Sequence, residues 1–242
     1  VLFVLPYCHV PDIDEGSSTG FGIYTIQLAE ELAKKQDMQV YVLSMKQRFL
    51  KDVVHNGVTY IGVSDIKICV RALKKSSIEN AREIYRYNYY NISPFKKVAT
   101  AVYSAAKTTL LDEIVLNYSI DIIHIHSLAQ ELYGVFKSEQ ISQTNTLVTL
   151  HNDFVKEEKY KKYSNYFKNT VKVLFKANIP ISFVSTGVKE NFVEEMGFSS
   201  QNLSVIVNGT CLKTQDEKKE KKNGKFRFVC VGTIGSQKNQ LF

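Results

Sequence analysis

A short apolar run that ends in two imidazoles carries the residues of this sequence best suited to chemistry. Ile120-Asp121-Ile122-Ile123-His124-Ile125-His126-Ser127 has the apolar, β-branched content of a buried strand in a parallel sheet. Side chains two apart on a strand share a face, so His124 and His126 point the same way. His126 lies one step nearer the carboxyl end, where open α/β sheets bind ligands. An imidazole at that mouth can donate to a substrate hydroxyl or meet a developing charge. His124 reads as a core histidine with one satisfied hydrogen bond, and His126 as the functional member of the pair. Leu147-Val148-Thr149-Leu150-His151 repeats the pattern and puts His151 at the tip of a second buried strand, with Asn152 and Asp153 beyond it. Pro180-Ile181-Ser182-Phe183-Val184 is a third such run and ends in Ser185. His151 and Ser185 are therefore candidates for lining a cleft around His126. The three imidazoles would also make a three-histidine ligand set, but no companion motif accompanies them and no metal is expected.

The elements that must position these tips alternate strand and helix. Residues 1–5 are a first strand. A turn-rich segment, 12–20, leads to a helix over about residues 22–35 with Ile23, Ile26, Ala29, Leu32 and Ala33 on one face, and residues 40–43 form the next strand. Such a β-loop-α-β unit makes the two strands parallel and the crossover right-handed. Ser17-Ser18-Thr19-Gly20-Phe21-Gly22 opens the helix, where free backbone N–H groups and the helix dipole favour an anion. Gly20 and Gly22 either face a phosphate there or only let the chain turn. They do not complete a dinucleotide fingerprint, because Thr25 stands at the third glycine position and no acid follows the second strand. A strand over 58–61 follows the turn His55-Asn56-Gly57. Residues 64–93 lose clear period and gather Arg71, Lys74, Lys75, Arg82 and Arg86 with Tyr85, Tyr87, Tyr89 and Tyr90. A lid or docking surface has that composition, and so has a partly helical excursion packed on the domain. A long helix over 96–118, with Tyr103, Ala106, Leu110 and Ile114 at helical spacing, delivers the chain into the first histidine strand. A short helix near 129–138, helices over 160–177 and 188–196, the stop at Gly197 and a strand over 203–207 complete a doubly wound α/β domain spanning residues 1–211.

Composition fits this reading. The chain has 242 residues, 44% of them hydrophobic and 23% charged, as expected of a soluble globular protein with one domain and part of another. Residues 1–5 are too short a run for a signal peptide or a membrane span. Cys8, Cys69, Cys211 and Cys230 are scattered without a Cys-x-x-Cys pair, which suits reduced thiols in a cytoplasmic protein. The formal charge of +7, from 31 basic and 24 acidic residues, suits an anionic ligand or an anionic membrane surface. No nucleic-acid recognition motif accompanies that charge. Residues 212–224 read as a charged linker and 225–242 as the opening of a second domain. Its strand Phe226-Arg227-Phe228-Val229-Cys230-Val231 would by itself be an unpaired edge, prone to pair with the same segment of a second copy into a homodimer.

Taken in order, several stretches resemble the retaining glycosyltransferases of family 4. They are the Gly-containing loop before the first helix, Asp121-Ile122-Ile123-His124-Ile125-His126, Thr149-Leu150-His151, Phe183-Val184-Ser185, Val205-Ile206-Val207-Asn208-Gly209 and Val231-Gly232-Thr233-Ile234-Gly235-Ser236-Gln237-Lys238-Asn239. The resemblance implies the GT-B architecture, two Rossmann-like domains facing each other, with this chain as the N-terminal, acceptor-side half plus the first strand of the nucleotide-sugar half. It implies transfer of a hexose, with retention, from a nucleotide-sugar donor to a glycan, lipid-linked or protein acceptor, as in polysaccharide biosynthesis. The nucleotide sugar would be a co-substrate, with no further cofactor, and the protein cytoplasmic or peripheral to a membrane. Residue by residue, Gly20 and Gly22 become the backbone facing the donor diphosphate, His126 the imidazole beside the transferred sugar, and Lys238 the cation on the leaving diphosphate. The family's arginine just after the glycine is Thr233 here, and its paired glutamates would lie beyond Phe242, so this stretch is expected to be inactive by itself. The other reading is a non-catalytic binding or assembly module derived from such a transferase.

Overall fold

A computed structural model describes residues 1–8, 10, 20–45, 51–87, 93–128, 132, 134–151, 164–197 and 202–209. The chain separates into two compact units, Val1–Gly209 and Thr210–Phe242. The second unit lies outside the described residues, and with it the linker, the 225–242 strand, Thr233 and Lys238. Ser17, Ser18, Thr19, Tyr89, Tyr90, Asn152 and Asp153 lie outside them as well.

The strands of the first unit are β1 (Leu2–Leu5), β2 (Val40–Ser44), β3 (Val53–His55), β4 (Val58–Tyr60), β5 (Ile122–His126), β6 (Asn145–Leu150), β7 (Ile181–Phe183) and β8 (Leu203–Val205). The helices are α1 (Gly20–Ala33), α2 (Asp65–Ala72), α3 (Lys75–Tyr87), α4 (Pro94–Asn117), α5 (Gln140–Gln143), α6 (Ser164–Lys176) and α7 (Thr186–Met196). The strands form one sheet in the order β3-β4-β2-β1-β5-β6-β7-β8, parallel throughout except for the β3/β4 pair. This is a Rossmann-like α/β sheet. Its centre is β1, whose four residues are all buried.

Alternation along β1 divides the core in two. Phe3 and Leu5 pack with Ile26 and Ala29 of α1, while Leu2 and Val4 join the larger cluster that holds Leu110, Leu111 and Ile114 of α4. Burying both faces explains why these strands are continuous apolar runs rather than alternating ones. Ile123 and Ile125 of β5 belong to the α4 face. His124 and His126 therefore fall on the α1 face, and their rings lie 5.3 and 5.6 Å from that of Phe3.

Several elements differ from the sequence reading. Helix α1 begins at Gly20 rather than near Gly22, so both glycines belong to its first turn. Its buried stripe is Gly22, Thr25, Ile26 and Ala29; Ile23 is 49% exposed and does not join it. Strand β3 was not expected. It is a three-residue antiparallel edge joined to β4 by Asn56 (φ 48°) and Gly57 (φ 78°), the two positive φ values of a type I′ turn. Within 64–93, the described part is two helices packed on α4. Ser77 Oγ and Thr109 Oγ1 lie 2.7 Å apart in the core, and Arg71 and Lys74 both pair with Glu113. Burial raises the pKa of the Glu113 carboxyl, but these two cations outweigh it and leave the value lowered. Among the described residues of 129–138 there is a 3-10 turn, Val135–Lys137, rather than an α-helix, and the short α5 follows it before β6. Among the described residues no helix is long and apolar enough to cross a membrane.

Candidate functional site

Strands β5 and β6 are parallel neighbours, with His126 opposite Thr149. His151, two residues beyond Thr149, projects from the same face past the end of β6. The two imidazoles meet there edge to edge: His126 Nδ1 lies 2.9 Å from His151 Nε2, with ring centres 5.2 Å apart and 19° between planes. The Thr25 hydroxyl of α1 also reaches His126 Nδ1, at 3.2 Å. Tyr24 sets its ring 6.3 Å from His126 and edge-on to His151 at 5.6 Å. His126 is 0% exposed, and its Nε2 is buried with no hydrogen-bond partner among the described residues. The expectation of an imidazole at an open strand end is thus corrected: the ring is buried, with Thr25 and Tyr24 of α1 packed on it.

His124, one turn of the pleat back, has the role expected of it. Its Nε2 bonds the Thr149 hydroxyl at 2.7 Å, and Thr149 in turn meets the buried Ser182 hydroxyl of β7 at 2.6 Å. Its ring is 4.1 Å from that of His126. Among the described residues no group of three His, Cys, Asp or Glu side chains is placed to hold a metal ion. Burial, helped by the neighbouring His151, lowers the His124 pKa to about 4. Burial alone lowers that of His151 to about 4. His126 falls well below the usual imidazole value through burial and then through His124 and His151. At neutral pH the cluster is three neutral rings, each a donor at one nitrogen and an acceptor at the other.

The remaining sequence candidates stand at different distances from this centre. Ser185, at the end of β7, caps α7, its Oγ accepting from the Val188 N–H at 3.3 Å. Gly20 is exposed and Gly22 buried in the first turn of α1. Three contributors escaped the sequence reading. Thr25 registered there only as a missing glycine, and Thr149 only as strand filler. Ser127, directly after His126, adopts φ 94° and donates its N–H to the Thr149 carbonyl at 2.8 Å. A non-glycine residue at such a φ is uncommon and marks strain of about 1–3 kcal/mol, which tends to gather at functional sites.

The sequence matches the profile of glycosyltransferase family 4 over residues 18–213. The chain belongs to glycosyltransferase family 4. Among curated proteins no relative matches it by sequence. Its fold is similar to that of a trehalose-6-phosphate synthase, with a TM-score of 0.51 at 13% identity over 86% of this chain and 49% of that one. It is similar also to an α,α-trehalose-phosphate synthase (UDP-forming) from Burkholderia vietnamiensis, with a TM-score of 0.50 at 11% identity over 85% of this chain and 48% of that one. The chain thus spans about half the length of the solved structures it matches. At these identities the likeness is one of fold, the N-terminal half of a GT-B glycosyltransferase.

Proposed function

We propose that this chain is the acceptor-side half of a retaining hexosyltransferase that takes its sugar from a nucleotide-sugar donor and passes it to a glycan, lipid-linked or protein acceptor. One observation carries the reading: His126 is wholly buried at the carboxyl tip of a central strand, tied at Nδ1 and, among the described residues, without a partner at Nε2. A buried polar atom left unpaired costs about 1–3 kcal/mol, a cost that a ligand removes by completing the bond. In the proposed site that ligand is a hydroxyl of the transferred sugar, which His126 holds so that the anomeric carbon is presented to the acceptor.

Sugar transfer builds positive charge at the anomeric carbon and negative charge on the leaving phosphates, so fixed positive groups aimed at the phosphates stabilise the transition state. By family resemblance Lys238 supplies one such charge. By the same resemblance the first turn of α1, which begins at Gly20, turns its N-terminus and the positive end of its dipole to the phosphates. Protein groups then carry the leaving-group charge without a metal. The UDP-forming synthase from Burkholderia vietnamiensis, similar in fold, supports a nucleoside diphosphate as the leaving group. The acceptor-side half is proposed to be inactive by itself, because the family's paired glutamates belong to the other half.

The test is turnover by the full-length protein with a panel of nucleotide sugars. At least one donor should release its nucleoside diphosphate, and the product's anomeric coupling constant, read by NMR, should match the donor's configuration. His126→Phe should lower kcat by about 100-fold. His126→Gln, which places an N–H near the position of Nε2, should recover part of that loss. Full activity in folded His126→Phe, or an inverted product, overturns the proposal.

A further inference from the structure

The bond between the two imidazoles has a consequence for the chemistry of the site. Two neutral rings joined through His126 Nδ1 and His151 Nε2 share one proton on that line. If His126 Nδ1 holds it, both rings are in their Nδ1–H forms and His126 shows a bare lone pair at Nε2. If His151 Nε2 holds it, both rings are in their Nε2–H forms and His126 shows an N–H. Free histidine prefers the Nε2–H form, and only the second arrangement satisfies that preference in both rings at once. The Thr25 hydroxyl lies on the same nitrogen at 3.2 Å and, in that second arrangement, can donate its O–H to the lone pair of Nδ1 as well.

We propose that His151 is a positioning residue: its Nε2–H donates to His126 Nδ1 and holds His126 as the Nε2–H tautomer, so that the buried tip presents a neutral hydrogen-bond donor to its ligand. The partner this fits is an oxygen acceptor without full charge, such as a sugar hydroxyl, rather than a phosphate, which a cation would bind better. Among the described residues, the titratable groups packed on His126 are His124 on the same strand, His151 just past the end of β6 and Tyr24 from α1. Burial lowers both neighbouring imidazoles to about 4, so the two rings stay neutral and the donor survives acidification well below neutral pH. The inference rests on the proposed role of His126 in transfer only for its kinetic consequence; the tautomer itself is read without any substrate.

The experiment uses the full chain with 15N-labelled histidine and long-range proton–nitrogen correlation of the five imidazoles. The His126 signal is assigned by its loss in His126→Gln. The wild type should show His126 protonated at Nε2, with an Nδ1 shift typical of a hydrogen-bonded lone pair. In His151→Leu that Nδ1 signal should move toward the value of an unbonded lone pair or broaden by ring exchange, and His151→Gln should restore it. In the full-length enzyme, His151→Leu should lower kcat about tenfold, with KM moved less and the pH profile otherwise retained. A His126 protonated at Nδ1 in the wild type overturns the proposal, as does an Nδ1 signal unchanged in His151→Leu. The wild-type spectrum decides the first point even if a variant fails to fold. A correct tautomer in a protein that transfers no sugar would leave this inference standing and remove the proposed function alone.

Discussion

Acid should unfold this domain through its histidines before its carboxylates titrate. A buried neutral imidazole binds fewer protons when folded than when unfolded, so stability rises with pH between the folded and unfolded pKa values. The contribution is complete above the ordinary imidazole value of 6.5 and is lost as pH falls toward 4, the folded value of His124 and His151. At 1.36 kcal/mol per unit, that fall amounts to about 3 kcal/mol for each ring. Solvent at these half-buried rings screens part of it, leaving roughly 2 kcal/mol apiece. His126, more deeply buried, adds in the same direction. The pair alone removes about 4 kcal/mol from a domain whose whole stability is of the order of 5–15 kcal/mol. Urea unfolding of the full chain should therefore show its midpoint falling steeply from about pH 7 to pH 5, with the m value unchanged. His124→Gln and His151→Gln should each flatten the slope. Glu113, whose carboxyl is lowered from 4.5, adds its own loss only at more acid pH, and Asp112, raised by burial, works the other way. A midpoint that stays flat down to pH 5, or a slope that survives replacement of both rings, refutes the reasoning.

Three substitutions test the frame that holds the cluster. Gly134 has φ 94°, and a Cβ there would lie 2.7 Å from the Ser104 carbonyl carbon of α4, so Gly134→Ala should cost about 3 kcal/mol or more in urea unfolding. A loss under about 1 kcal/mol would mean that the segment is free to move off α4. Ser185→Ala removes the cap of α7 and should cost about 0.5–2 kcal/mol, read as a lower thermal midpoint. Thr149→Val keeps the shape but deletes the hydroxyl between Ser182 and His124, leaving two buried groups short of a partner at about 1–3 kcal/mol. A neutral result there would show that water replaces the hydroxyl.

The fold was legible where burial and periodicity agree. Strand β1 is an apolar run buried on both faces, β5 and β6 are largely buried and rich in β-branched residues, and α4 repeats apolar residues at helical spacing over its 24 residues. It was illegible where one local signal competed with tertiary contact. Val53-Val54-His55 is too short to announce a strand, and Val54 is 69% exposed, so only its pairing with β4 makes it one. The start of helix α1, two residues before the expected one, was hidden because glycines rarely mark a helical first turn. In α2 and α3, charged residues mask the pattern. Ile68 and Ile84 are nonetheless buried against α4, and Arg71 and Lys74 are drawn to Glu113, a partner some forty residues away in sequence.

At the site, the residue types were legible and their burial was not. A strand ending in His says that an imidazole stands at the tip, but what covers it depends on where α1 passes, and Thr25 and Tyr24 do the covering. The set then depends on register. Because β5 and β6 run parallel with His126 opposite Thr149, the side chains of His124, His126, Thr149 and His151 all lie on the α1 face. A slip of one residue would send either strand's members to the α4 face and break both the His124–Thr149 and the His126–His151 bonds. The Ser127 N–H bond to the Thr149 carbonyl continues the β5/β6 ladder one step past His126 and so carries the register to the strand tips. That bond is made by the peptide unit before the φ of Ser127; the positive φ lies beyond it, where the chain leaves the strand, so the ladder levels the two imidazoles whatever the conformation of Ser127.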